Sequence, residues 1–219
     1  VKSIDEWKKE IPITMSGYEG MTPEKIINKI NDLFPDSIVT TDVGQNQLWT
    51  TQYIRMDGKR QFLTSGGLGT MGYGLPAAIG ASIGNPGNPV ICISGDGGAQ
   101  MNIQELATAH ALETPVILCI FNNTYLGNVK QMQKMFYNKR YSSTCLRYSR
   151  SCNRQCRIDG TCTGGDYVPD FVKLAESYGC TGIRVENEAQ MDEAFKRAAE
   201  NTKSVTLIEF MLDCEYDVY

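Results

Sequence analysis

Histidine is almost absent from this chain: His110 is the one example in 219 residues. It sits in Thr108-Ala109-His110-Ala111, where it reads as a helix-surface residue and receives no catalytic role. Long apolar runs are missing as well. The longest, Pro115 to Phe121, has seven residues, far short of the ~18 needed for a membrane-spanning helix. The first residues, Val1 to Trp7, show an amphipathic start and no secretory h-region. Nor is there a basic excess: 21 Lys and Arg against 25 Asp and Glu leave a net charge of −4. That balance argues against a nucleic-acid surface or a basic membrane-lying helix as the main purpose. Internal repeats and low-complexity linkers are also lacking. The composition, 42% apolar, is that of an ordinary globular chain, expected to be cytoplasmic. At roughly 150 residues per domain, the length suggests one large domain or one domain with an elaborate insertion. Since it begins without Met and stops just after a strand-like run, the chain is expected to be a piece of something longer.

Cysteine is not scarce. Eight of them would fit four disulfides, but Cys92 and Cys119 lie inside the apolar runs Val90 to Ile93 and Ile117 to Ile120, where a small buried thiol packs well. A chain long enough to bury its own core has no need of a disulfide scaffold. Cys145, Cys152, Cys156 and Cys162 are different. They form C-x6-C-x3-C-x5-C within the polar stretch 138–167. Three readings stay open for them: a tetrahedral Zn²⁺ site or iron–sulfur cluster, disulfide or redox pairing, and free thiols. The stretch also carries Lys139, Arg140, Arg147, Arg150, Arg154 and Arg157 against Asp159 and Asp166, which reads as a solvated face. It is longer than ordinary connections, and is expected to be an insertion lying off the catalytic rim.

Elsewhere, short β-branched runs alternate with helical periodicity, the pattern of an α/β protein with a parallel sheet. Strands are predicted at 37–41, 61–64, 90–94, 116–121, 182–185 and 205–211. Helices are predicted at 75–83, 102–112, 126–136, 168–178 and 189–201. One more follows Thr22-Pro23-Glu24-Lys25, an N-cap with Pro at the first helical position, after which Ile26, Ile27, Ile30, Leu33 and Phe34 share a face. The architecture expected is a three-layer sandwich: a six-stranded parallel sheet between helices, with ligands at the strands' carboxyl ends. Residues 1–20 form an entry segment.

Two glycine clusters offer chemistry. The first, Ser65 to Pro76, contains G-x-G-x-x-G from Gly67 to Gly72 and then a helix. It admits a dinucleotide reading, with Asp96 as the ribose-binding acid, and a purely structural one in which glycines let a helix pack closely. The second, Gly95-Asp96-Gly97-Gly98, follows the strand 90–94, and a helix and a parallel strand then lead to Asn122-Asn123. The crossover puts Asp96 and Asn123 on one rim. A carboxylate and an amide oxygen are hard donors suited to Mg²⁺ or Ca²⁺, and Mg²⁺ with few protein ligands completes its shell with phosphate oxygens. Helix N-termini at the same rim favour an anion. These residues alone describe a Mg-diphosphate site.

The stretch Gly95-Asp96-Gly97, 24 residues, Asn122-Asn123 resembles the thiamine diphosphate signature. Around it Thr41 to Trp49, Thr64 to Gly80 and Met101 to Thr108 resemble the acetolactate synthase catalytic subunits, and specifically their C-terminal cofactor-binding domain. The pyrimidine-binding and middle domains of that family have no counterpart here. The resemblance implies that Asp96, the Asn123 side chain and the Tyr125 carbonyl hold the metal. It places Val43, Gly44, Gln45 and Asn46 along the diphosphate with Gly95, Gly97, Gly98, Leu126 and Gly127. Met71 would support the bent cofactor from beneath, and Gly69 would lie near its pyrimidine ring. Asn46 and Gly98 stand where His and Ser are common, and Asn128 and Met132 where Met and Trp are.

The implied function is decarboxylation of pyruvate and transfer of the two-carbon unit to a second 2-keto acid, a step of branched-chain amino-acid biosynthesis. The activating Glu is expected in the pyrimidine-binding domain of a neighbouring subunit. Hence no catalytic residue is assigned here, the chain alone is expected to be inactive, and a homodimer or higher oligomer is expected. Two alternatives stand beside this: another thiamine diphosphate-dependent 2-keto acid decarboxylase or oxidase, and a non-catalytic metal or redox-sensing module.

Overall fold

A computed structural model describes residues 2–147, 150, 152 and 169–218. The chain opens with helix α1 (Lys2–Glu10) and α2 (Pro23–Leu33). It continues through β1 (Ile38–Thr41), α3 (Gln45–Tyr53), β2 (Gln61–Thr64) and α4 (Gly74–Gly84). Then come β3 (Val90–Gly95), the single turn α5 (Asp96–Ala99), α6 (Glu105–Ala111), β4 (Ile117–Asn122) and α7 (Gly127–Phe136). Last are α8 (Phe171–Ser177), β5 (Thr181–Val185), a 3₁₀ turn (Glu188–Gln190), α9 (Met191–Glu200) and β6 (Thr206–Met211).

All six strands pair in parallel in the order β2-β1-β3-β4-β6-β5. Alternation along the strands splits the core in two, because successive side chains point to opposite faces. On β3, Ile91 and Ile93 join one cluster with α2, α3 and α9, while Val90 and Cys92 join another with α4, α6 and α8. The expected three-layer sandwich is the observed one. Cys92 and Cys119 are buried thiols on opposite faces, and desolvation pushes the Cys92 thiol up to about 12.

Chain order reverses at β1: β2 lies on one side and β3 on the other. Connections leaving the two neighbours diverge there and open a crevice beyond the carboxyl ends. Helix α4 closes one side of it by packing very near β1. A Cβ on Gly74 would lie 2.8 Å from the Asp42 nitrogen and 3.1 Å from Cys92 Sγ, and Thr40 Oγ1 donates to the Gly74 carbonyl at 3.0 Å. Two of those neighbours are backbone or buried core, so a methyl has nowhere to go. Gly74→Ala is expected to lower stability by about 1–3 kcal/mol, read as a lower urea midpoint at unchanged slope.

Differences from the sequence reading lie mostly at element ends. The helix predicted at 102–112 begins three residues later, at Glu105, after turns at 101–104. The predicted start at 168 lies outside the described residues, and Asp170 caps α8 through its side chain. Helix α3, which the apolar pattern did not predict, buries Gln45, Asn46, Trp49, Thr50 and Tyr53. That is helical spacing carried mainly by polar residues.

Candidate functional site

Every one of the fourteen residues singled out for cofactor binding lines one cavity of about 190 Å³ at the switch point. From the β1 end come Val43, Gly44, Gln45 and Asn46, and from the glycine loop Gly69 and Met71. Gly95, Asp96, Gly97 and Gly98 follow β3, and Asn123, Tyr125, Leu126 and Gly127 follow β4. Trp49, Phe121 and Val129 also line it, as does Asn128, which the sequence marks only as a departure from the family pattern. Trp49 closes the stretch Thr41 to Trp49 that carries the family resemblance, and α3 turns it inward beside Asn46. Asn128 and Val129 were traceable as the residues after Gly127 that open α7.

Two helices begin at this cavity. The N-cap of α3, Gly44, has φ 139° and ψ −160°, a region essentially reserved for glycine, and it turns the chain sharply from β1 into the helix. Leu126 caps α7. The first amides of each helix lack intrahelical acceptors and, with the helix dipole, favour an anion.

The glycine loop is tied to the sheet by Asp42, a residue to which no role was assigned. Its buried carboxylate accepts from the N–H groups of Val43 (2.8 Å), Gly72 (3.0 Å) and Gly74 (3.0 Å). Gly98 packs on that carboxylate so tightly that any Cβ would collide with it. Asn46 braces the ends of β1 and β3 by donating to the carbonyls of Asp42 (2.9 Å) and Ile93 (3.0 Å). Its Oδ1 stays on the side of Gly44 and Gly95, where an added Cβ would lie 3.0 and 3.3 Å from it.

Asp96 is 1% exposed. Its oxygens accept from Gly97 N–H (2.8 Å) and Thr124 N–H (2.7 Å). Burial pushes its carboxyl up to about 7, against the lowering effect of those two amides. Among the described residues no Lys or Arg pairs with it. A buried carboxylate without a counter-charge is costly, so the donor set fits a small hard cation. Asn123 Nδ2 donates to Gln45 Oε1 (3.1 Å), which fixes Asn123 Oδ1 on the opposite side, where it accepts from Tyr125 N–H (3.1 Å). A Cβ at Gly127 would collide with Gln45 Oε1 and come within 2.7 Å of Asn123 Nδ2, so only glycine leaves this amide pair intact.

Residues 212–218 close against α3 and α7. Gln45 Nε2 donates to Gln131 Oε1 (2.9 Å) and to the Tyr216 carbonyl (3.0 Å). Gln131 exchanges two hydrogen bonds with the Val218 backbone (2.8 and 3.0 Å), and Trp49 Nε1 donates to the Asp217 carbonyl (3.3 Å).

One expectation is corrected here. The stretch 138–167 does not lie wholly off the rim, because its first part returns to the site. Leu126 N–H donates to the Thr144 carbonyl (2.8 Å), Leu146 N–H to the Thr124 carbonyl (2.9 Å), and Tyr125 bridges Cys145. The cause is local: left-handed Thr124, φ 62°, turns backbone groups of 124–126 outward, and the returning chain satisfies them. Of the four loop cysteines, Cys156 and Cys162 lie outside the described residues. Among the described residues no group of three or more His, Cys, Asp or Glu is placed to hold a metal ion. His110 is exposed on α6, packed against Gly179.

The class follows from comparison with known families. Residues 42–210 match the family described as "Thiamine pyrophosphate enzyme, C-terminal TPP binding domain", and the chain belongs to it. Thiamine pyrophosphate is thiamine diphosphate. Among individual proteins, the chain is similar to a probable acetolactate synthase large subunit of Methanococcus aeolicus, at 41% identity over 97% of this chain and 33% of the relative. It is also similar to acetolactate synthase large subunits of Parasynechococcus marenigrum (41%, 84% and 27%) and Cyanidium caldarium (40%, 89% and 30%). The chain thus spans about a third of the length of the curated relatives it matches.

Proposed function

We propose that this chain holds thiamine diphosphate through Mg²⁺ in the switch-point cavity. It would serve as the cofactor-binding part of an acetolactate synthase-type enzyme that decarboxylates pyruvate and joins the two-carbon unit to a second 2-keto acid. The observation that carries the reading is Asp96: a buried carboxylate with no Lys or Arg partner among the described residues, beside Asn123 and Tyr125 and between two helix N-termini. Asp96, Asn123 Oδ1 and the Tyr125 carbonyl would hold the cation, and the first amides of α3 and α7 would take the diphosphate oxygens. Bound there, thiamine diphosphate would supply the nucleophilic carbon and the electron sink that decarboxylation of a 2-keto acid needs. Met71, whose unbranched thioether reaches the cavity from the glycine loop, would support the cofactor from beneath.

The likeness in sequence to acetolactate synthase large subunits supports the choice among thiamine enzymes. An exposed apolar rim supports a covering partner domain. Leu68, next to Gly69, is 94% exposed, and Met132, Met135 and Phe136 on α7 are exposed as well. Exposed apolar side chains on the glycine loop and on α7, both of which contribute residues to the cavity, ask for a neighbour, here the pyrimidine-binding domain of another subunit.

The test is a thermal titration of the chain with thiamine diphosphate, with Mg²⁺ or with EDTA. Ligand at ~100 times its dissociation constant is expected to add ~2.7 kcal/mol with Mg²⁺, or roughly 5–10 °C in a chain of this size, and nothing with EDTA. Equal shifts in both arms would refute the metal-bridged site.

A further inference from the structure

The turn that presents Asn123 and Tyr125 is held in a conformation its sequence disfavours. Thr124 is β-branched, yet its φ is 62°, a left-handed backbone such residues rarely adopt. Its N–H is shared between Asp96 Oδ2 (2.7 Å) and Asn122 Oδ1 (3.0 Å). An Asn side chain can offer either an oxygen or an NH₂ group, so something must determine which end of Asn122 faces Thr124. That something is Glu209 on β6, 2% exposed. Glu209 Oε1 accepts from Asn122 Nδ2 (2.7 Å) and Oε2 from Arg184 Nε (2.9 Å). Arg184 in turn reaches Asp170, the cap of α8, at 2.8 Å. An ionised carboxylate only accepts, so the NH₂ end of Asn122 faces Glu209 and the oxygen end faces Thr124. Neither Glu209 nor Arg184 lines the cavity.

We propose that Glu209 is a positioning residue for the metal loop. By setting the orientation of the Asn122 amide, it holds Thr124 left-handed, and so places the Asn123 side chain and the Tyr125 carbonyl where they ligate the cation. This deepens the Mg-diphosphate reading and rests on it.

Glu209→Gln tests the idea with almost no change of shape. The new amide keeps its oxygen for Arg184 and turns its NH₂ toward Asn122. Asn122 must then flip and set NH₂ against the Thr124 N–H, donor on donor. Adding Asn122→Asp restores the pattern at the original charge: one carboxylate oxygen accepts from the new amide, the other from Thr124. In the metal-free chain, hydrogen exchange at the Thr124 amide is expected to quicken roughly tenfold or more in the single variant and to return to within about threefold in the double. The Mg²⁺ concentration that half-saturates thiamine diphosphate binding is expected to rise roughly tenfold in the single variant, as for other groups that orient metal ligands, and to recover in the double. If the single variant does not fold, the double carries the test. Unchanged Thr124 exchange, an unchanged Mg²⁺ midpoint alongside a lowered melting temperature, or a double variant no better than the single would overturn the proposal. A wild-type chain that binds no thiamine diphosphate at any Mg²⁺ concentration overturns the cofactor reading instead. The exchange arm uses no ligand and keeps the two results apart.

Discussion

Asp96→Ala is expected to weaken Mg²⁺-dependent thiamine diphosphate binding by roughly 100-fold or more, about 3 kcal/mol, while leaving the fold intact. Asp96 is the one carboxylate in the cation's expected ligand set, and diphosphate beside bare carbonyl and amide oxygens has no charge to draw it in. The fold survives because little else depends on the side chain. The Thr124 N–H keeps Asn122 Oδ1 as acceptor, and only the Gly97 N–H is left without its bond. Isothermal titration with cofactor at fixed Mg²⁺, alongside circular dichroism, reads both halves. Binding within a few fold of wild type would move the cation elsewhere.

The same side chain makes the metal-free chain less stable at high pH. Its carboxyl titrates near 7 in the folded chain against an ordinary value of 3.8, so the folded state holds the proton more tightly than the unfolded one. The stabilisation is complete below about pH 4 and is lost as pH rises toward and through 7. Between pH 5 and 8 the loss amounts to about 3 kcal/mol. Glu215 and Asp170, both shifted downward, are already ionised in that window and add no slope. Urea unfolding in EDTA across pH 5–8 is expected to show the decline for wild type and to lose most of it in Asp96→Asn. A wild-type profile flat across that range would show that Asp96 ionises at no cost, and with it would go the physical case for a cation at this position.

The parts of the molecule legible from sequence were those where one residue type does one job. β-branched runs marked the strands, and Thr22-Pro23 marked the start of α2. The spacing from Asp96 to Asn123 could be read as a crossover between parallel neighbours, which put both on one rim. Helix α3 was hidden because its buried face is mostly Gln, Asn and Thr, residues an apolar template counts as exposed. Asp42 carries no local signature, because its partners are amides some thirty positions on. The return of Thr144 to Leu146 onto the metal loop depends on the left-handed Thr124, a conformation that residue does not announce. The Glu209–Asn122 pair spans 87 positions and has no local signature at all.

The bond between Gln45 and Tyr216 spans 171 positions. Closing a loop of that size costs entropy that grows with the logarithm of its length and yields nothing until it is closed, so such contacts form late. On the ribosome, β1 through β4 emerge well before residues 212–218 and can collapse as a unit. The pocket would then exist in outline while Gln45 and Gln131 still bond to water, with the Asn123 amide free to rotate. Cofactor offered to a nascent chain at that stage would find the walls without the latch. Completion of the pocket thus waits on residues 212–218, which follow every element that lines it.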